Sequence, residues 1–172
     1  MKKVIRAALM AAALMALASV LALHAAAEPS SNRNRLEAAF TETPASITNR
    51  IADLGVFQLI NTGSGTLEGF GPATVVVGIT QDRSVTPCGP GSWTNAATRR
   101  IVAEEGVLVL HEVGIRCSTE SGPDITGTYE VDGLSSTGIF AGARGTGEDK
   151  VATVTHTSSL SGKLKLAGSD GG

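Results

Sequence analysis

The chain has 172 residues, of which 42% are hydrophobic and only 3% aromatic, with 21 glycines and a formal net charge of −2 at pH 7. This length accommodates one domain of ordinary size together with a processed segment. The slight acidic excess argues against proteins that bind nucleic acid or anionic membranes through surplus positive charge.

The N-terminus has the pattern of a secretory signal peptide. Lys2, Lys3 and Arg6 form a short cationic start, residues 7–23 are all apolar or small, and a run of small residues ends at Ala27. A positive start, an apolar middle and a small-residue cleavage site define such a signal. We therefore expect residues 1–27 to be removed. An uncleaved membrane anchor is the alternative, which the Ala-rich run favours less.

Cleavage would leave 11 basic and 16 acidic residues, a net charge of about −5, because the signal carries three of the 14 basic side chains. We expect the mature protein to be secreted or periplasmic, with no nucleic-acid partner and no integral membrane segment. The sequence does not indicate an oligomeric state.

Two cysteines, Cys88 and Cys117, remain in the mature chain, 29 positions apart. In an oxidising compartment such a pair usually forms a disulfide. A metal site and a redox pair are the alternatives. Neither cysteine lies in a Cys-x-x-Cys motif or near clustered histidines, so we predict a structural disulfide, no metal and no cofactor.

The mature chain is predicted to contain a leader, one β-rich domain and a tail. Residues 28–46 are polar without a sustained period, which predicts a flexible leader. Residues 47–168 form the domain and residues 169–172 a flexible tail.

Short runs of β-branched and apolar residues alternate with glycine-centred turns throughout the domain, and no long amphipathic helix is predicted. Eight strands are expected, at 56–61, 66–70, 73–80, 99–104, 107–115, 125–131, 151–155 and 160–166. This spacing predicts an all-β, antiparallel, eight-stranded up-and-down barrel, whose closure removes exposed edges. A β-sandwich is the alternative.

The stretch from Gly127 to Gly147 contains an unusual glycine-rich turn, with the order Ser136-Thr-Gly-Ile-Phe140-Ala-Gly-Ala-Arg-Gly-Thr-Gly147. It resembles the strand–turn–strand of allene-oxide-cyclase-like barrels, a family related to dirigent proteins and broadly calycin-like. Ser136 stands where that family often has glycine. The resemblance implies an eight-stranded barrel with a cavity. In the plant cyclase the cavity binds a fatty-acid epoxide, but none of that enzyme's catalytic residues is matched here. Independently of the family, Phe140 is suited to plug a barrel end.

Two glycine-rich segments, 63–65 and 142–147, superficially resemble phosphate-binding loops. Such loops precede a helix and, in nucleotide-binding P-loops, carry a Lys-Ser/Thr pair. Strands follow both segments here and that lysine signature is absent, so turn glycines are predicted.

His111 is the best single candidate for acid–base chemistry. It shares a strand face with Val107, Val109, Val113 and Ile115, opposite the face of Leu108, Leu110 and Glu112. The strand begins apolar on both faces, which predicts burial on both sides there. His111 is therefore either a group inside the barrel or, as we favour, a hydrogen-bonded structural histidine or one at the rim.

Other candidate ligand-binding residues are Arg100, Tyr129, Phe140 and Trp93. Arg100, like Arg99 and Arg116, has the fork that binds a carboxylate, although solvated or ion-paired arginines are more common. Trp93 is predicted either to contact a ligand or partner or to cover the disulfide.

Three functions fit this sequence. The first is non-enzymatic binding of a small apolar ligand or a protein partner. The second is an isomerase or cyclase acting on a lipid-like substrate inside the barrel. The third is an envelope-associated structural role for a barrel filled by side chains. The absence of a recognisable catalytic motif favours the first.

Overall fold

The computed structural model describes residues 34–119 and 124–168. The predicted signal peptide, 1–27, the first part of the leader, 28–33, and the tail, 169–172, lie outside these residues. Within the described part, the chain is a closed barrel in which every strand pairs antiparallel with its sequence neighbours and the last strand pairs with the first. The fold class is confirmed, and the sandwich alternative is wrong.

The strands are β1 (Arg35–Ile51), β2 (Val56–Leu67), β3 (Gly71–Asp82), β4 (Trp93–Ala103), β5 (Gly106–Arg116), β6 (Ile125–Val131), β7 (Thr146–Ala152) and β8 (Thr157–Lys163). Short 3-10 helices lie at Ala52–Leu54 and Gly138–Phe140. Among the described residues, no helix is long and apolar enough to cross a membrane.

The expected flexible leader is wrong for residues 35–46, which belong to the 17-residue strand β1. Leu36, Ala38 and Phe40 alternate into the barrel and are buried. The alternation then continues inward with Glu42, a charged residue, and Pro44. Because these two side chains are not hydrophobic core residues, the period-2 pattern was too short to be recognised.

The two strands predicted at 56–61 and 66–70 are wrong as separate elements, because β2 runs unbroken through Gly63 and Gly65. These glycines are not turn residues. A Cβ at Gly63 would collide with the carbonyl oxygen of Thr41, and one at Gly65 with that of Ala39. Glycine at these positions lets β1 approach β2 closely. The glycines that predicted a turn are therefore required for the packing of the two strands.

The closing hairpin is also displaced from its predicted position. β7 spans Thr146–Ala152 rather than 151–155, and residues 153–156 form the turn, with His156 at a positive φ of 55°. The charged run Glu148–Lys150 hid β7, since only Asp149 of the three points inward and is buried.

The two ends of the barrel differ in packing. One end carries the β2–β3, β4–β5 and β6–β7 connections, and there Phe70 and Phe140 are buried with ring centroids 4.9 Å apart. Leu36, Leu67 and Leu164 complete this apolar plug. The other end carries the β1–β2, β3–β4, β5–β6 and β7–β8 connections and is not filled in this way. We call these the closed end and the open end.

The predicted disulfide is confirmed. Cys88 and Cys117 are bonded, with Cα atoms 5.7 Å apart, and tie the β3–β4 loop to the end of β5 at the open end. The bond therefore constrains the rim of the barrel.

Replacing both cysteines with serine should lower the free energy of unfolding by about 3.6 kcal/mol, because the unfolded chain loses the constraint of a 29-residue loop. Urea unfolding of the oxidised protein and of the Cys88→Ser/Cys117→Ser variant measures the difference. A reductant should lower the wild-type midpoint to that of the variant and leave the variant unchanged. Equal midpoints for the two oxidised proteins would contradict the prediction.

Candidate functional site

The open end contains a cavity of about 190 Å³. Its walls are mainly apolar and come from strands on several sides of the barrel. The apolar lining residues are Pro44, Leu59, Val77, Ile79, Ala97, Val113, Ile125 and Val151. Polar side chains enter the cavity from Glu42, Asn61, Gln81, Asn95, Arg99, Glu112 and Asp149, with Thr153 and His156 on the β7–β8 turn.

The floor of the cavity is a group of charged side chains centred on Arg99, which is only 1% exposed. Arg99 Nε donates to Glu112 Oε1 at 2.5 Å and Nη2 donates to Oε2 at 3.3 Å. Its Nη1 donates to Glu42 Oε1 and, at 3.3 Å, to Ser158 Oγ. Asp149 completes the group, and we call these five residues the Arg99 cluster.

The strand registers place the Arg99 cluster between the cavity and the closed-end core. Two residues farther toward the closed end, the same strands bury Phe40, Ile101, Leu110 and Leu160. The cluster is therefore the point at which an apolar core changes to a polar cavity floor. Sequestered charges of this kind are costly unless paired.

The cluster favours the charged forms of two of its members. Burial alone would lower the pKa of Arg99, but the carboxylates of Glu112 and Glu42 outweigh it and raise that pKa. Burial would likewise raise the pKa of Glu42, but Arg99 and the hydrogen bonds from Ser158 and Asn61 lower it. Glu42 and Arg99 therefore form a stable ion pair at neutral pH.

Asp149 behaves differently from Glu42. Burial, the Glu112 charge and the Glu42 charge raise its pKa to about 7, against the opposing attraction of Arg99. Its Oδ1 lies 3.7 Å from Arg99 Nη2, which is too long for a hydrogen bond. Among the described residues, this oxygen has no hydrogen-bond partner. Asp149 is therefore a buried carboxyl group able to exchange a proton near pH 7.

The predicted site residue Trp93 lies at the rim of the open end. Its Nε1 donates to Asn95 Oδ1 at 3.1 Å, and its ring packs against the guanidinium groups of Arg83 and Arg116 at 4.6 and 4.3 Å. Arg116 in turn donates to Asp124 at 2.7 Å. Trp93 therefore fixes the Asn95 amide, whose Nδ2 is buried without a hydrogen-bond partner in the described structure.

The favoured interpretation of His111 as a hydrogen-bonded histidine is confirmed, and the alternative that it lies inside the barrel is wrong. Its side chain is 58% exposed on the outer face and contacts Asp132 Oδ2 at 3.1 Å and Thr98 Oγ1 at 3.3 Å. The strand is ambiguous because Val109, on the same face, is also buried. The β6–β7 connection covers Val109 on the outside of the barrel, where the buried Ser136 Oγ accepts a hydrogen bond from the Val109 amide at 2.9 Å.

The remaining predicted residues do not line the cavity. Arg100 is exposed on the outer face, while its neighbour Arg99 points inward. Phe140 is buried in the closed-end plug. Tyr129 is buried over Gly147 and Gly162, where a Cβ on either glycine would strike its hydroxyl group. Burial and the charge of Glu37 raise the Tyr129 pKa to about 12.

Sequence reasoning missed Glu42, Glu112 and Asp149 as members of one site. The available signal was strand parity, meaning the face of the strand on which each residue lies. Glu112 lies on the same strand face as Leu108 and Leu110, and Arg99 lies on the same face as Ile101. A charged residue on an otherwise apolar strand face indicates either a strand end or a buried polar site. Parity does not show which residues meet across the barrel, since that depends on strand register.

The described residues contain no group of three or more His, Cys, Asp and Glu side chains positioned to hold a metal ion. Comparison of the chain with protein-family models, with curated proteins and with solved structures finds no match.

Proposed function

We propose that this protein reversibly binds a small, largely apolar molecule that carries a polar group, in the cavity at the open end of the barrel. One observation carries the proposal: an apolar-walled cavity holds two buried polar atoms without partners in the described structure, Asn95 Nδ2 and Asp149 Oδ1. Apolar walls with a few convergent polar groups are the usual composition of a ligand site.

The size of the cavity limits the ligand. About 190 Å³ is smaller than the roughly 300–1,000 Å³ typical of pockets for drug-sized molecules. A body of one ring or a short branched chain suits this space, and a longer ligand would extend through the open end. Because the cavity is not filled by side chains, a barrel with a purely structural role is the weaker candidate.

The setting we propose is outside the cytoplasm, either secreted or periplasmic. The Cys88–Cys117 disulfide supports this, because such bonds persist in oxidising compartments. Native mass spectrometry of the protein purified from its exported form tests both ideas. We expect a mature N-terminus at Glu28 and a reproducible added mass that disappears on denaturation.

Ala97→Phe should weaken binding of the neutral probe cyclohexylmethanol at least tenfold, because Ala97 lines the cavity and a phenyl group would occupy it. Ala96→Phe is the matched control, since Ala96 is exposed on the outside of the same strand. Chemical-shift titration of both variants and the wild type measures the affinities. Equal binding by all three proteins would overturn the proposed site.

An isomerase or cyclase acting on a lipid-like substrate is the second candidate, and Asp149 is the observation that favours it. A buried carboxyl group with a pKa of about 7 is suited to general acid–base catalysis at neutral pH. The glycine-rich β6–β7 connection and the eight-stranded barrel support kinship with allene-oxide-cyclase-like barrels. Recovery of the bound molecule chemically altered after incubation would favour this candidate over simple binding.

A further inference from the structure

We propose that the ligand is a compact organic cation, an alkylammonium group on an apolar body, whose positive charge pairs with the Asp149 carboxylate on the cavity floor. This inference rests on the proposed binding function. It specifies the chemical class of the ligand and the atom that recognises it.

The charge balance of the floor favours a cation. Three carboxyl groups, from Glu42, Glu112 and Asp149, surround one guanidinium group, that of Arg99. Arg99 is already engaged by Glu42 and Glu112, so it offers little to a ligand anion. An anionic head group would meet the surplus carboxyl charge instead and be repelled.

The geometry of Asp149 indicates where the cation would sit. Asp149 lines the cavity and is only 6% exposed, yet among the described residues its Oδ1 accepts no hydrogen bond. A buried acceptor without a partner is unfavourable, and an ammonium N–H would satisfy both its hydrogen bond and its charge. A neutral ligand would satisfy the hydrogen bond alone.

Among the described residues, the elements packed around Asp149 provide no cation besides Arg99 that could take this place. Across the barrel, β4 contributes Arg99, β5 contributes Glu112 and β1 contributes Glu42. Of the two strands adjacent to Asp149, β8 contributes the Ser158 hydroxyl group and β6 places Gly127 opposite Asp149. The ionisable group at the mouth is His156, on the β7–β8 turn. The rim arginine Arg116 is bound to Asp124.

Binding of a cation should therefore be coupled to release of a proton from Asp149. Below the Asp149 pKa of about 7 the carboxyl group is protonated and must lose its proton to form the ion pair. The apparent affinity for a permanently charged ligand should then rise about tenfold per pH unit up to that pKa and remain constant above it. An uncharged ligand should show no such rise.

Isothermal titration calorimetry with two probes of matched shape, cyclohexylmethylammonium and cyclohexylmethanol, tests the inference between pH 5.5 and 8.5. The ammonium probe stays charged throughout, since alkylammonium groups such as lysine have a pKa of about 10.4. In wild type we expect the ammonium probe to bind at least tenfold more tightly than the alcohol at pH 8. Its affinity should rise with pH as described. Asp149→Asn should abolish both the preference and the pH dependence, whereas Asp132→Asn, on the outer face, should change neither.

The possible outcomes separate this inference from the binding function. Equal binding of the two probes, without pH dependence, would overturn the cation assignment and leave a cavity for neutral ligands. Tighter binding of the alcohol than of the ammonium probe at pH 8 would also overturn it, because Asp149 is then mostly ionised and should prefer the cation. A pH dependence that survives Asp149→Asn would overturn the cation assignment, because the proton released on binding would then come from another group. Binding of neither probe would remove the proposed function together with the inference.

Discussion

Arg99→Met should lower the free energy of unfolding at pH 7 by about 3–5 kcal/mol, the cost typical of removing one partner from a buried ion pair. This loss of stability comes from the buried carboxylates that the variant leaves without a cation. Glu42 and Glu112 would remain buried without their cation, and Asp149 would lose the Arg99 charge that favours its ionised form. Methionine retains the unbranched stem of the side chain as far as the position of Arg99 Nε, so most of the effect should come from the lost charge.

Arg100→Met is a close control for this experiment. Arg100 is the next residue in β4, but it points outward and is exposed, so its replacement should change stability by no more than about 0.5 kcal/mol. Urea unfolding of both variants measures the contrast. The deficit of Arg99→Met should shrink as the pH falls toward 4, because protonation of the carboxyl groups removes the uncompensated charge. If the two variants lose equal stability, or if the deficit does not depend on pH, the cluster is not held by Arg99.

The barrel was predictable because most strands follow the period of 2 with apolar residues inward. Val75, Val77 and Ile79 in β3 illustrate this, since each is separated by an outward residue. The period of 2 is obscured where an inward position is polar or lacks a side chain. The whole of β1 was missed, because its apolar alternation stops at Phe40 and the next inward residue is Glu42. β2 was divided in two because Gly63 and Gly65 resemble turn residues.

The site was less predictable than the fold for a related reason. Its members come from β1, β4, β5, β7 and β8, and they meet only because strand registers bring Arg99 opposite Leu110 and next to the inward carboxyl groups. A single sequence contains the parity of each residue but not these registers. The sequence left the position of His111 open between the interior and the exterior of the barrel, because the β6–β7 connection buries Val109 and makes both faces of β5 apolar at its start.

Asp149→Asn should stabilise the protein, and the gain should grow with pH. In the folded protein the pKa of Asp149 is raised to about 7 from an ordinary value of 3.8. Below pH 3.8 the group is protonated in both the folded and the unfolded chain and has no effect. Between pH 3.8 and 7 the unfolded chain releases the proton while the folded chain retains it, so wild-type stability falls. Asparagine cannot ionise and avoids this loss.

The difference between variant and wild type should therefore be near zero at pH 3.5 and reach at most about 4 kcal/mol above pH 7, since the shift is roughly three pKa units. Urea midpoints of the variant and the wild type, measured at intervals from pH 3.5 to 8, give this difference in stability directly.

Asp132→Asn provides a control of opposite sign, because hydrogen bonds, first from Ser135, lower the Asp132 pKa to about 2. That variant should lose stability above pH 4 rather than gain it. A constant difference for Asp149→Asn across the range would mean that the carboxyl group is ionised in the folded barrel. The cavity floor would then carry its full negative charge, and the proton release that accompanies cation binding would not occur.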